Sequence, residues 1–483
     1  MPDAHRNYVD GQWVESESGE TFASHNPADT GDVVGHFQRS TRADAEAAIE
    51  AAVAAQDAWA GTPGPERGRV LHAAATNLAD RKDELTETLA REEGKTRAEA
   101  GGEVQRTIDI FNYYAEKARD FGGDVKPASG PDTTLYTIQE PLGTVALITP
   151  WNYPIAIPGW KIAPALATGN TIVFKPASLT PNTARKLVEC IDDADLPTGV
   201  LNMVTGPGSQ VGDPFTTHED IDGVSFTGSS EVGMQVYRDA AEEKKRVQTE
   251  MGGKNPTIVM PSADVDEAAD IVANGAFGVT GQACTATSRA IVHESIYDEF
   301  VDAVVERASA IEVGAALEGG EMGPQVSQSE LEGTLDYIDV GDREGATLET
   351  GGGTPNGDAY DDGYFVEPTV FSGVENDMRI AQEEIFGPVL GVIQAADFDD
   401  ALAMANDVDY GLSASIVTQE LTEANRFIDE VEAGIAKVND KTTGVELHVP
   451  FGGFKLSSSE TFREQGDAAL DFYTISKTAY VNY

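Results

Sequence analysis

From about residue 143 the chain settles into short, almost wholly apolar runs separated by longer stretches whose apolar residues recur at three-and-four spacing. Runs of that length read as strands buried on both faces, and the intervening periodicity reads as helices. The first series predicts strands over 143–149, 171–175, 200–204 and 223–227. Helices are predicted at about 160–167, 182–193 and 231–243, with a short helical turn after the third strand. A second series begins after Glu250, with strands over 256–260 and 290–292 and helices over 265–277 and 297–311. Such alternation predicts an α/β protein with a parallel, doubly wound sheet in each series. Ahead of it, 42–59, 65–94 and 98–121 are helical, and 1–40 holds short strand pieces that read as an edge hairpin. Residues 345–363 form a surface loop or hairpin, and 472–481 alternates like an exposed strand tied down by pairing, another subunit being one such partner.

At 483 residues the chain exceeds what one hydrophobic core supports, about 250 to 300 residues, so two or more domains are expected. Asp and Glu number 82 against 33 Lys and Arg, a formal charge of −49 spread along the chain. Self-repulsion on that scale is relieved by concentrated salt, so the balance reads as a cytoplasmic protein of a salt-accumulating organism and argues against a nucleic-acid partner. Neither an apolar signal core at the start nor a run of about 18 apolar residues is present, so no membrane partner is expected. Two cysteines exclude a disulfide framework, and seven scattered histidines without ligand spacing give no metal site.

In open parallel sheets ligands collect beyond the carboxyl ends of the strands, and the first series ends in groups suited to one. These are Thr149-Pro150-Trp151-Asn152, Lys175-Pro176-Ala177-Ser178, Thr227-Gly228-Ser229 and, after a short extended piece, Glu250-Met251-Gly252-Gly253. The turn at Gly228 opens a helix whose free N–H groups suit a phosphate, although a plain glycine turn with a serine cap explains it equally well and Gly-x-Gly-x-x-Gly is absent. Asn152 carries an amide able to donate to an oxyanion, and Glu250 is a general base if burial raises its pKa. Gln282-Ala283-Cys284-Thr285 offers a thiol in a loop of small residues. Alone, such a cysteine is more often a buried small hydrophobe; a nucleophile needs its pKa lowered.

Seven strings in order resemble the aldehyde dehydrogenase superfamily over nearly the whole chain. They are Pro150-Trp151-Asn152-Tyr153-Pro154, Lys175-Pro176-Ala177-Ser178, Phe226-Thr227-Gly228-Ser229, Glu250-Met251-Gly252-Gly253-Lys254-Asn255-Pro256, Gly281-Gln282-Ala283-Cys284, Glu383-Glu384-Ile385-Phe386-Gly387-Pro388 and Pro450-Phe451-Gly452-Gly453-Phe454-Lys455. The resemblance implies Cys284 as nucleophile, Asn152 and the Cys284 N–H as oxyanion donors, Glu250 as the base that activates water, and Lys161 as a proton relay behind it. It implies Lys175 at the adenosine ribose, Ser229 at the pyrophosphate, Glu384 and Phe386 at the nicotinamide ribose and ring, and Trp151 at the cofactor site. A base at Glu250 favours hydrolysis of the thioester over transfer to coenzyme A. The implied organisation is a dinucleotide-binding domain from 1–121, 141–250 and 448–468, a catalytic domain over 251–447, and oligomerisation strands at 122–140 and 469–483 that make a homodimer or homotetramer.

Two departures from the common pattern refine this. Ser178 stands where many NAD-preferring members have glutamate, which removes repulsion of a 2′-phosphate and leads to NADP as the preferred cofactor, with NAD possible. Trp160 stands where succinate-semialdehyde dehydrogenases carry an arginine. The looser strings Gly102-Glu103-Val104, Ser457-Ser458-Ser459, Arg463-Glu464-Gln465-Gly466 and Phe472-Tyr473-Thr474 are more similar to the 2,5-dioxopentanoate (α-ketoglutarate semialdehyde) dehydrogenase branch. Arg106 is then a candidate partner for a substrate carboxylate, with Tyr153 and Trp160 beside it, against the plainer reading of a surface or interface arginine. A broad-specificity or succinate-semialdehyde enzyme and a catalytically silent protein on the same fold stay open as alternatives. A cysteine hydrolase would need an oriented histidine, and neither His293 nor His448 has that setting.

Overall fold

The computed structural model describes residues 4–483. Two seven-stranded sheets organise it. The first runs in the order Arg246–Glu250, Gly223–Thr227, Thr144–Ile148, Thr171–Lys175, Leu201–Met203, and is extended at its edge by the antiparallel pieces Asn7–Val9 and Gln12–Val14. The first five are parallel, and four of them are buried along their whole length, as continuous apolar runs require. Chain order reverses between Thr144–Ile148 and Gly223–Thr227, so a crevice opens beyond their carboxyl ends.

The second sheet runs Thr347–Thr350, Thr369–Ser372, Val389–Ala395, Thr287–His293, Asn255–Val259, Ser413–Val417, Ile435–Val438, parallel except at its first pair. A third, small sheet pairs Thr474–Asn482 with Thr133–Pro141 antiparallel along their length, so the tail strand finds its partner within its own chain. Among the described residues no helix is long and apolar enough to cross a membrane.

Several sequence expectations shift. The helix read over 65–94 is two, Gly64–Asp80 and Lys82–Glu93, parted at Arg81, whose guanidinium binds Glu84 and reaches Glu189 on another helix. The helix read from about 160 begins at Ala156, because the Ile155 and Ala156 N–H groups are capped by Glu103 from a distant helix. Segment 448–468 does not belong to one side. Phe454–Lys455 pairs with Tyr410–Gly411 beside the second sheet, while Met251 N–H donates to the Ser457 carbonyl at 2.8 Å and Ser458 bridges to Glu250.

Candidate active site

Beyond the switch point of the first sheet lies a cavity of about 320 Å³, and it gathers residues from both sheets. The loop after Thr144–Ile148 contributes Pro150, Trp151 and Asn152; the turn after Gly223–Thr227 contributes Gly228 and Ser229. Cys284 enters from the second sheet, and Glu384 and Phe386 from the loop before Val389–Ala395. The Trp151 and Phe386 rings meet edge to face with centroids 5.4 Å apart. A larger cavity, about 520 Å³, lies beside Glu312, Thr350 and Tyr360 and contains none of the predicted residues.

Cys284 sits after an unusual turn. Val279, Thr280 and Gly281 all have positive φ, at 53°, 56° and 69°. For β-branched residues this costs about 1 to 2 kcal/mol each, so other contacts must impose it. They do: Glu99 Oε1 accepts the Val279 N–H at 2.6 Å, and Thr280 Oγ1 donates to the Gly323 carbonyl at 3.1 Å. Gly281 has no alternative, since a Cβ there would lie 2.2 Å from the Gly387 carbonyl oxygen. Across the cavity the Asn152 amide donates to the Gln282 carbonyl at 2.9 Å, spending one N–H and leaving the other free.

The electrostatics correct one expectation. Burial, then Glu384, Glu250 and Glu464, push the Cys284 thiol well above its ordinary pKa, so the lowered value that a ready thiolate needs is not built into the protein alone. Glu250 meets its condition: burial first, and Glu464 second, raise it far above the carboxylate range, against Arg463 and Lys161. Its Oε2 accepts the Gly453 N–H at 3.2 Å, and its Oε1 is buried without a partner. Lys161, expected as a relay behind Glu250, bonds to other groups. Its ammonium binds Glu464, and it donates to Ser225 at 2.6 Å. Glu464 also accepts the Trp160 indole N–H at 2.7 Å, and so pairs with Lys161 while its charge raises the Glu250 pKa.

The sequence reading named no role for Glu464, although it quoted the string containing it; position alone separates it from any other acid. It also passed over the Gln328–Glu344 helix, which brings Glu330 and Tyr337 to the cavity wall, despite the serine cap at Ser327 that marks its start. Arg106, Tyr153 and Trp160 do not line the cavity. Arg106 Nη2 donates to Gln465 at 3.0 Å and to the Val445 carbonyl, while Tyr153 lies under the Lys95 ammonium, 4.3 Å from its ring centre.

The residues fit a dinucleotide. The Ser230–Glu242 helix starts at Ser229 with no side-chain cap, leaving its first N–H groups open. Among the described residues Thr149 Oγ1 is buried with no bond partner. Lys175 is buried with only a long 3.4 Å contact to the Pro176 carbonyl, and burial lowers its pKa to about 8. Glu384, pushed up by burial to about 7, takes the Gly253 N–H at 2.9 Å, and a Cβ on Gly252 would strike its carboxylate at 2.2 Å.

Comparison with known proteins gives the same picture from another side. Residues 13–479 match the model of the aldehyde dehydrogenase family. The chain is 65% identical over 483 residues, all of both chains, to a Haloferax volcanii protein named alpha-ketoglutarate semialdehyde dehydrogenase. It is 45% identical to a Saccharolobus solfataricus 2,5-dioxopentanoate dehydrogenase, over 97% of this chain and 98% of that one. A crystal structure of Staphylococcus aureus betaine aldehyde dehydrogenase with NAD+ superposes with a TM-score of 0.96 at 36% identity, covering 99% of this chain and 95% of that one.

Proposed function

The chain belongs to the aldehyde dehydrogenase family, and on that premise we propose that it oxidises 2,5-dioxopentanoate to 2-oxoglutarate through a thioester on Cys284. The observation that carries this reading is the convergence of Cys284, Asn152, Ser229 and Glu384 on one cavity with Glu250 buried behind it. Lys175 and Ser178 would hold the adenosine ribose, Gly228 and Ser229 the pyrophosphate, and Glu384 and Phe386 the nicotinamide end, beside Thr149, Pro150 and Trp151. A nicotinamide dinucleotide held there would supply the hydride acceptor that oxidation of the thiohemiacetal to the thioester requires.

The protein's own groups do the rest. The Cys284 thiol gives up its proton to water as its sulfur adds to the aldehyde carbon, and the oxyanion so formed accepts the free Asn152 N–H and the backbone N–H of Cys284. Glu250, its pKa raised by burial and by Glu464, takes in its ionised form a proton from water as that water attacks the thioester. The acid leaves, and the thiol is restored. Reduced-dinucleotide absorbance over a panel of semialdehydes in concentrated salt should give 2,5-dioxopentanoate the highest kcat/KM; silence across the panel would sink the assignment.

NADP is the preferred acceptor in this reading. Ser178 is exposed, only 3.4 Å from the Gly206 carbonyl, and offers a 2′-phosphate no opposing charge. Ser178→Glu should lower kcat/KM with NADP at least about tenfold, because like charges brought together cost several kcal/mol, while NAD changes little. Equal losses with both cofactors would show that position 178 does not read the phosphate.

Arg106 lies outside the cavity wall, yet it is proposed as the partner of the substrate carboxylate, since among the described residues Nη2 alone is engaged and the guanidinium is half-buried. A charge-assisted hydrogen bond contributes about 1.5 to 3 kcal/mol. Arg106→Ala should therefore raise KM for 2,5-dioxopentanoate about tenfold or more and leave KM for an uncharged aldehyde unchanged. An unaltered KM for the semialdehyde would return Arg106 to a structural role. The exposed Tyr480 and Val481 on the C-terminal strand support a homo-oligomer built on the small sheet.

A further inference from the structure

We propose that Lys95 and Glu103 are positioning residues that hold the Asn152 amide at the oxyanion site, an inference that rests on the reading of Asn152 as the oxyanion donor. Lys95 lies between the Lys82–Glu93 and Arg97–Asp120 helices, 2% exposed, far from any surface that would explain a charge. Its ammonium donates to Glu103 Oε2 at 2.6 Å and to the Asn152 carbonyl at 2.7 Å, and it lies over the Tyr153 ring. Glu93 stands 3.7 Å away. The other oxygen of Glu103 accepts the Ile155 and Ala156 N–H groups, both at 3.1 Å.

The loop that carries Asn152 is therefore fixed at two places by one buried ion pair. Its carbonyl at 152 is held from one side, and its backbone at 155–156, where the helix bearing Lys161 starts, is held from the other. A backbone rotation that swung the Asn152 side chain away from the cavity would also lift that backbone carbonyl off the buried ammonium. One helical turn after Lys95, Glu99 takes the Val279 N–H in the nucleophile's own turn, so residues 95–103 tie the oxyanion loop to the Cys284 loop across the two sheets. Stability alone does not call for charge here, because well-packed apolar residues commonly equal or exceed a buried ion pair. What the pair adds is direction, and a shift of about 1 Å at a reacting centre costs roughly 100-fold in rate.

The test is a double-mutant cycle on the full chain, with kcat normalised to titrated active sites and dinucleotide Kd read from tryptophan fluorescence. Lys95→Met should lower kcat about 10- to 100-fold with aldehyde KM and dinucleotide Kd within about threefold of the parent, a split that general loosening of the fold would not give. In an Asn152→Ala background the same change should cost less than about threefold, because the group it positions is gone. Losses that multiply, or a Lys95→Met kcat within threefold of the parent, would overturn the positioning role. An Asn152→Ala enzyme with full kcat would instead remove the oxyanion reading, and this proposal with it. Should Lys95→Met fail to fold with Glu103 left unpaired, Lys95→Met/Glu103→Gln takes its place in the cycle with the same expectations. That pair of changes removes both charges and keeps an amide oxygen for the Ile155 and Ala156 N–H groups.

Discussion

Cys284→Ala is expected to lower aldehyde oxidation at least about 10⁴-fold while dinucleotide affinity stays within about twofold of the parent. Removing a nucleophile that works as a unit with its base and oxyanion donor takes away nearly the whole chemical acceleration, as losses of comparable groups elsewhere show. The groups proposed to hold the dinucleotide are fixed independently of the thiol: Lys175 ends one first-sheet strand, Ser229 follows another, and Glu384 takes the Gly253 N–H. Loss of the thiol also removes a neighbour of Glu384 and Glu250 without adding charge, so neither carboxylate is left unpaired by the change. Stopped-flow absorbance for chemistry and fluorescence titration for binding separate the two effects. Retained turnover would overturn the assignment of Cys284, and lost binding would show that the thiol loop shapes the cofactor site.

The first-series strands were legible because each is a continuous apolar run with punctuation at its ends, 171–175 being the Thr171–Lys175 strand of the structure, whereas in the seven-stranded second sheet only 256–260 and 290–292 were read. The strand-end residues were legible for the same reason, since the rule that ligands sit at carboxyl ends turns a one-dimensional boundary into a place. What stayed hidden depends on partners far along the chain. The Ala156–Thr168 helix starts early because its cap is Glu103, about fifty residues upstream, and no local signal at 155 could report it. Glu464 acts on Lys161 and Glu250 from some three hundred and some two hundred residues further along the chain. The thiol's raised pKa is likewise a property of burial among three carboxylates, contributed by three separate segments.

Glu250→Gln carries the largest effect on the second half of the reaction, and its sign is set by the same burial. Glu250 keeps its proton to well above the ordinary glutamate pKa of about 4.3, because burial and Glu464 outweigh Arg463 and Lys161. Only the ionised form can accept a proton from water, so hydrolysis of the thioester in the parent enzyme should rise with pH through a range displaced upward from that of an exposed glutamate. Glutamine has no such form. The variant should release one equivalent of reduced dinucleotide per active site in a burst, then turn over about 10²- to 10⁴-fold more slowly with a flat pH profile, the contribution expected of a positioned base. Stability moves in the opposite sense. A carboxyl whose folded pKa is raised stabilises the fold fully only below its unfolded pKa, and that contribution fades as pH rises through the folded value. Glutamine stays neutral throughout, so the variant's Tm relative to the parent should increase from pH 4 to pH 9, the opposite of its activity. A burst-free variant that keeps the parent's pH dependence would place the base elsewhere. A Tm difference independent of pH would show that Glu250 is ionised in the resting protein after all.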